Sequence, residues 1–444
     1  MHTAISDQET EFMIIDSSSY VGGVETLIVR LARFLKRNKM NVTLLYLKPS
    51  SFVRKELSEL NYREVQTKNA ISYMSRREIE LLKESLESHS YGFEFVLAPY
   101  YSNLQLASLL PKENTVILNG FFHASAWVTD LSNGLLLDAT NLLCSSQASI
   151  RKKTINHHWL YQQDLLRKLD CRSANWFMSD LAKKYHEYYY DVELPNSRVI
   201  PLPFDIPEID PVVFEKARKK GDVLKVVWLG RFEYFKNPSI KKTYEALQEL
   251  IEKHLDLKVE FDLIGYGREK YEKDIRKGVK TSGRLQVKYL GKIFPDKLPD
   301  VISQYDVGVA MGTSALHIGA MGIPTIHVDG SDEKHYKDIK GCWLHKEPVG
   351  LGSGVYENIA GYKINGREDI KILFEEIIAA PELLEKYGVR DRNYVIENYD
   401  ENKIMPQIID AWTSSTFSPG DMEVYRHPPL KRFIRRTAKR ILRR

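Results

Sequence analysis

Residues 290–329, LGKIFPDKLPDVISQYDVGVAMGTSALHIGAMGIPTIHVD, constrain this chain more than any other stretch. The run predicts a strand, a short helix and a second strand, then a small-residue turn at Met311-Gly312-Thr313-Ser314, a helix entered at Ala315 and a strand after Gly322 and Pro324. A strand followed by a turn, a helix and another strand belongs in a parallel sheet with helices packed across it. Backbone N–H groups at such a turn and in the first helical turn lack internal partners, and the helix dipole adds partial positive charge. The turn is therefore a candidate anion site, most naturally for phosphate. Taken alone, the pattern is structural more often than functional.

The same alternation begins near the start of the chain. Phe12-Met13-Ile14-Ile15-Asp16 reads as a buried strand, SSSYVGG as a loop and VETLIVRLARFLKRN as a helix with Leu27, Leu31, Phe34 and Leu35 at helical spacing. Asn41 to Leu47 is the next strand, which gives half of a Rossmann-like sheet. Gly22 and Gly23 let the backbone approach either a ligand or a packed helix, and without a full GxGxxG the two readings stay level. Strands follow at Phe93 to Leu97, Thr115 to Phe122 and Asn141 to Cys144, with a helix at Leu104 to Leu110. His123 falls just past a strand end in NGFFHASAW, where a histidine can contact substrate or hold a proton, although a lone histidine is usually a core or surface residue.

From Ile150 to Tyr190 the chain turns basic and aromatic. Nucleic-acid tracking is one reading and an acceptor surface near His157, His158 and Trp159 another; the favoured one is a pair of solvated helices at a domain edge. PLPFDIPEIDP (201–211) is a connector and marks a domain boundary. A second Rossmann-like unit starts afresh beyond it. Val223 to Leu229 is a strand, GRFEYFKNPS a loop, Ile240 to Lys253 a helix, and Val259 to Ile264 a strand closed by Gly265-Tyr266-Gly267. Lys270 to Lys280 is a helix and Val287 to Leu290 a strand that leads into the opening stretch.

A length of 444 residues suits two domains rather than one core, and 43% hydrophobic with 28% charged residues argues against extensive disorder. Cys144, Cys171 and Cys342 show no metal or redox spacing and imply inert thiols in a reducing compartment. The N-terminal MHTAISDQETEF does not read as a signal peptide and no segment is apolar enough to span a bilayer, so a cytoplasmic location is expected. The net charge of +5 is uneven: residues 424–444 hold nine Lys or Arg and no acid, which leaves the body mildly acidic. In LKRFIRRTAKRILRR, Leu430, Phe433, Ile434, Ala438, Ile441 and Leu442 share one face. The pattern is a cationic amphipathic helix suited to an anionic membrane surface, the plainer reading being a disordered basic tail that binds nucleic acid without specificity.

GGVETLIVRLARFL, WLGRFEYFKNP, FDLIGYGREKYEKDI, VKYLGKI, YDVGVAMGTSALHIGAMGIPTI and INGREDIKILFEEII occur in that order over most of residues 12–412. Together they resemble the retaining family 4 glycosyltransferases, especially members that build bacterial capsule, exopolysaccharide or lipopolysaccharide. The resemblance implies the α/β GT-B architecture, two Rossmann-like domains facing a central cleft. The acceptor domain would be residues 1–204 with a crossing helix at about 402–418, and the nucleotide-sugar domain 205–401. It implies a nucleotide-sugar donor, a glycan or lipid-linked acceptor, a place on the inner face of the membrane and no specific nucleic-acid partner.

By the same resemblance, Arg231 and Lys236 grip the donor diphosphate, His123 stands near the reacting sugar, and Gly22 and Gly23 approach the diphosphate from the first domain. Gly312, Thr313, Ser314 and Ala315 can supply backbone N–H groups to the same anion, and Gly265 and Gly267 read as mainly structural but close to the base. No Asp-x-Asp pair occurs, so a metal bridging the phosphates is not required, in keeping with the resemblance, and no cofactor is expected beside the donor. The family's Glu-x7-Glu motif, aligned on Gly322 and Pro324, falls on Val309 and His317. Both acids are missing, although His317 can still hydrogen-bond a hydroxyl. Two other readings therefore stay open, a catalytically silent GT-B binding partner and, less favoured, a sugar-nucleotide epimerase.

Overall fold

The predicted strands are short continuous apolar runs rather than alternating ones, as expected for strands buried on both faces of a parallel sheet. A computed structural model describes residues 11–16, 23–46, 51–66, 74–87, 95–98, 101–110, 115–122, 127, 157–208, 223–294, 297–328, 330–331, 336–337, 339–351 and 366–422. Gly22, His123, the expected strand at Asn141 to Cys144 and the tail from 424 lie outside the described residues. Those up to Pro203 and from Ile404 onward form one unit, and Phe204–Lys403 another.

The first unit holds a sheet of β1 (Glu11–Asp16), β2 (Asn41–Tyr46), β3 (Arg63–Gln66), β4 (Phe95–Ala98), β5 (Val116–Phe121), β6 (Asn175–Phe177) and β7 (Arg198–Val199), ordered β3-β2-β1-β4-β5-β6-β7 with every pair parallel. Its helices are α1 (Gly23–Arg37), α2 (Ser51–Glu56), α3 (Arg76–Glu87), α4 (Tyr101–Ala107), α5 (His157–Cys171) and α6 (Asp180–Tyr190). In α1 the expected Leu27, Leu31 and Leu35 face inward with Ile28 and Ala32, and Phe34 is half-buried.

The reading of Ile150 to Tyr190 as solvated helices is corrected where the chain is described. Helix α6 buries Leu181, Ala182, Tyr185, His186, Tyr189 and Tyr190, and α5 buries Trp159, Leu165, Leu166 and Leu169. The aromatics at 185 and 189, and at 186 and 190, recur four apart and so fall on one face of α6. The ring of His186 meets that of Phe121 at 4.6 Å and its Nδ1 hydrogen-bonds the Ala182 carbonyl.

The second unit holds β8 (Val223–Leu229), β9 (Lys258–Ile264), β10 (Leu285–Gly291), β11 (Val307–Ala310), β12 (Thr325–Val328) and β13 (Gly341–Trp343), ordered β10-β9-β8-β11-β12-β13. All neighbours are parallel except β12 and β13. Helices α7 (Asn237–Lys253), α8 (Glu269–Gly278), α9 (Leu298–Ile302), α10 (Thr313–Ala320), α11 (Ile370–Ala379) and α12 (Leu383–Tyr399) pack on this sheet. From β8 the chain steps outward to β9 and β10, then returns to the other side of β8 as β11. The strand order therefore reverses between β8 and β11, and open α/β sheets bind ligands beyond the strand carboxyl ends at such a switch point.

Helix α13 (Glu401–Ser414) passes out of the second unit and from Ile404 belongs to the first. Ile404, Met405, Ile408, Ala411 and Trp412 join the core of the first sheet. The Trp412 ring meets Phe12 edge-on at 5.0 Å, and its indole N–H donates to the Val96 carbonyl at 3.2 Å. Ser415 Oγ then donates to the Ile117 carbonyl, and the Ile117 N–H to that of Phe417.

Candidate functional site

The switch point of the second sheet brings two of the sequence-predicted stretches together. Leu229 at the end of β8 and Ala310 at the end of β11 are paired neighbours. The loop carrying Arg231 and Lys236 leaves the first, and the turn at Met311-Gly312 leaves the second. The Ser331 N–H donates to the Phe235 carbonyl at 2.9 Å, and Gly330 fits between Met311 and Phe235 with no room to spare for a Cβ. The segment beyond β12 thus ties the two loops to each other.

Lys236 stands at the N-cap of α7. Asn237 anchors that helix start, its Nδ2 donating to the Tyr271 carbonyl at 3.0 Å and to Asp274 Oδ2 at 2.9 Å. Arg231 reaches Glu233 at 3.6 Å. Among the described residues no carboxylate lies within ion-pairing distance of Lys236, which keeps only part of its surface in water. Burial first, and then the Arg231 guanidinium, push its pKa down to about 8, with Glu233 pulling the other way. A cation at a helix N-terminus also opposes the helix dipole. Among the described residues the loop thus sets two cations, Arg231 and Lys236, against one carboxylate, Glu233, an excess of positive charge that an anion would relieve.

On the other side of the switch point, the helix begins at Thr313 rather than Ala315. Gly312 has φ +62° and ψ −141°, close to a region that only glycine enters readily. Its N–H donates to His327 Nε2 at 3.1 Å, and the Ala315 N–H donates to the Gly312 carbonyl at 3.0 Å. Of the four N–H groups expected to face an anion, those of Gly312 and Ala315 are thus engaged within the protein. Thr313 and Ser314, partly exposed, supply the remaining pair.

Other residues fall out differently. Gly23 opens α1 and is exposed, and an added Cβ would meet nothing, so packing does not require a glycine there. A Cβ on Gly265 would collide with the Gly230 carbonyl, and one on Gly267 with the Phe232 carbonyl. The Gly230 N–H donates to the Ile264 carbonyl and the Phe232 N–H to that of Tyr266. These two glycines let the Arg231 loop lie flat against the end of β9. His317 is half-buried and its ring meets Phe204 edge-on at 4.7 Å.

Val309 is buried within β11 in the sheet core. Only Met311 and Gly312 separate β11 from α10, so Val309, where the resemblance had placed an acid, has no loop from which to reach a ligand. His327, Glu347 and Arg367, which stand behind the Gly312 turn, were not expected from the sequence. A histidine in the strand run TIHV was the only available signal.

No protein-family model matches the chain, and no curated protein matches it in sequence. Solved structures do match in fold. A glycosyltransferase from Rickettsia africae superposes with TM-score 0.60 at 14% identity over 91% of this chain and 98% of that one. TarM of S. aureus, in a structure that also holds fondaparinux, alpha-GlcNAc-glycerol and UDP, gives 0.55 at 9% over 91% and 99%. WaaG, described as a glycosyltransferase involved in lipopolysaccharide biosynthesis, gives 0.51 at 11% over 91% and 99%. The chain has the GT-B fold, with two Rossmann-like domains, the fold of these glycosyltransferases.

Proposed function

We propose that this chain is a glycosyltransferase that moves a sugar from a nucleotide-sugar donor to a glycan or lipid-linked acceptor in polysaccharide biosynthesis. The observation that carries the reading is Lys236, a cation without a carboxylate partner among the described residues, beside Arg231 at the switch point of a GT-B sheet. A nucleotide diphosphate leaving group is the anion this chemistry calls for. Arg231, Lys236 and the N–H groups of Thr313 and Ser314 would stabilise the charge that develops on it as the glycosidic carbon–oxygen bond breaks. In a retaining front-side transfer the acceptor oxygen bonds to the anomeric carbon on the face that the phosphate leaves. The acceptor's proton passes to a phosphate oxygen. No carboxylate pair, metal or cofactor is needed in this scheme, in keeping with a sequence that lacks Asp-x-Asp.

A second reading, a silent GT-B protein that binds nucleotide or glycan as a partner of an active enzyme, rests on the sequence departure at Val309 and His317. Val309, the position where the resemblance places its first glutamate, is buried in the core of the second sheet. Incubation of the full chain with UDP-, GDP- and ADP-sugars decides between them. Release of nucleoside diphosphate, by transfer or hydrolysis, is expected. Binding without turnover would establish the silent partner, and interconversion of the free nucleotide sugars an epimerase.

The residues from 424 onward carry a second, separate part of the reading, an anchor on the anionic inner face of the membrane. Among the described residues no helix is long and apolar enough to cross a bilayer. Each Lys or Arg near an anionic surface contributes about 1 kcal/mol, so nine give ample attraction even after screening. Truncation after Ser418 is expected to release the protein from phosphatidylglycerol vesicles while leaving its circular dichroism unchanged. Undiminished vesicle binding by the truncated chain would refute the anchor.

A further inference from the structure

Behind the Gly312 turn lies a set of buried polar groups that core packing does not require. His327 sits in β12 between Ala310 of β11 and Cys342 of β13, with its side chain 3% exposed. Its Nε2 accepts the Gly312 N–H, so in the neutral ring the proton is on Nδ1. That nitrogen is 3.4 Å from Glu347 Oε2. Glu347 is fully buried; Arg367 Nη2 donates to both its oxygens at 2.7 and 2.9 Å, and Cys342 Sγ to Oε2 at 2.7 Å. Arg367 Nη2 also lies 3.5 Å from His327 Nδ1. The imidazole is thereby fixed from both ends, by a backbone donor at Nε2 and by a carboxylate facing Nδ1.

The glycine at the other end of this chain of contacts is held in an unusual conformation. An added Cβ on Gly312 would meet nothing, so the residue is glycine for its dihedral angles and not for space. Those angles set the direction of the peptide groups that follow, which carry the Thr313 and Ser314 N–H groups. We infer that His327 is a positioning residue for the anion-binding turn. It holds Gly312 through Nε2, and the Glu347 carboxylate, itself held by Arg367, faces Nδ1 and favours the Nδ1–H tautomer. The inference rests on the donor-site reading above and adds to it a residue with no place in the family motif.

The test uses inorganic pyrophosphate, which is independent of base and sugar, titrated calorimetrically into the full chain and its variants. His327→Leu is expected to weaken pyrophosphate binding roughly 5- to 10-fold, the worth of about one hydrogen bond. His327→Gln, whose amide oxygen can accept the Gly312 N–H, is expected to recover most of the loss. Lys236→Ala serves as the control for the site itself. If Lys236→Ala weakens binding while His327→Leu binds like the parent, the positioning role is overturned and the anion site stands. If neither variant changes binding, the site reading falls and this inference with it.

A second measurement needs no variant. With 15N-labelled histidine, His327 is expected to show the Nδ1–H tautomer and an Nε2 signal that shifts on saturation with pyrophosphate. An Nε2–H tautomer, or a signal unmoved at saturation, overturns the role.

Discussion

Lys236→Ala is expected to lower kcat/KM for nucleotide-sugar turnover by about 100- to 1,000-fold, the range seen when one preorganised donor to a developing oxyanion is removed. Arg231→Ala should do the same, and the double variant should lose less than the product of the two, because both cations act on one anion. Near-normal kinetics in both single variants would sink the diphosphate assignment.

The pH profile gives an independent check. Burial and Arg231 push the Lys236 pKa down to about 8. As pH rises through that value the free protein loses the charge, so kcat/KM should fall on the alkaline side. A bound diphosphate favours the charged lysine, and binding near pH 8 should therefore take up protons from the buffer. Lys236→Arg should move the fall to higher pH, since a guanidinium stays charged.

The sign for stability runs opposite to the sign for function. A lysine whose native pKa lies below its unfolded value is held charged at a cost, and that cost is present below about pH 8 and relieved as pH climbs toward the ordinary lysine value. Lys236→Ala should thus be at least as stable to urea as the parent at pH 7. A variant that loses both activity and stability would mark Lys236 as structural instead.

The largest expected effect on stability lies at Asp391, in the middle of α12. It is fully buried. Its Oδ2 accepts the Thr325 N–H at 2.7 Å, and its Oδ1 accepts the His345 N–H at 2.9 Å and the His345 ring Nδ1–H at 2.6 Å. One carboxyl thus joins α12 to the start of β12 and to the turn after β13. Next to it α10 packs so closely that a Cβ on Gly319 would collide with Leu344 and touch Asp391.

Asp391→Ala strands one buried and two part-buried donors and should cost about 3–5 kcal/mol in urea unfolding. Asp391→Asn should cost less but still lose part of the set, because its amide keeps one acceptor oxygen and turns a donor toward the other N–H group. Burial raises the Asp391 carboxyl above its ordinary value, although its three hydrogen bonds pull it down. The native state therefore holds that proton more tightly than the unfolded chain does. Stability should fall as pH rises from the ordinary aspartate value of 3.8 through the raised one, and Asp391→Asn should flatten that slope. A parent protein whose stability is unaltered by Asp391→Ala would show that the carboxyl joins nothing of consequence.

Much of the architecture was legible in the sequence because it is written in local periodicity. Runs such as Val223 to Leu229 have too few polar positions to face water on either side, and Leu27, Leu31 and Leu35 mark one face of a helix. The aromatics of α6 were misread, since their charged neighbours Lys183, Lys184 and Glu187 gave the segment a solvated look. Their spacing of four held the contrary information. That Val309 stands where the resemblance places an acid was visible, but its setting was not. Val309 is a strand residue, and the turn beyond it is two residues long.

By itself the sequence determined the alternation of strands and helices, the restart of a second sheet after the proline-rich connector, and the cations of the loop after β8. Each of these depends on residues within a few positions of one another, where burial and backbone sterics act through simple spacing. Tertiary structure alone decided that the strand order reverses between β8 and β11, which sets Arg231 and Lys236 beside the Gly312 turn. It also decided which N–H groups of that turn remain open, and that His327, Glu347 and Arg367 meet behind it. Those residues are 20 and 40 positions apart along the chain, and no local pattern encodes a contact that only the packing of separate strands and loops can close.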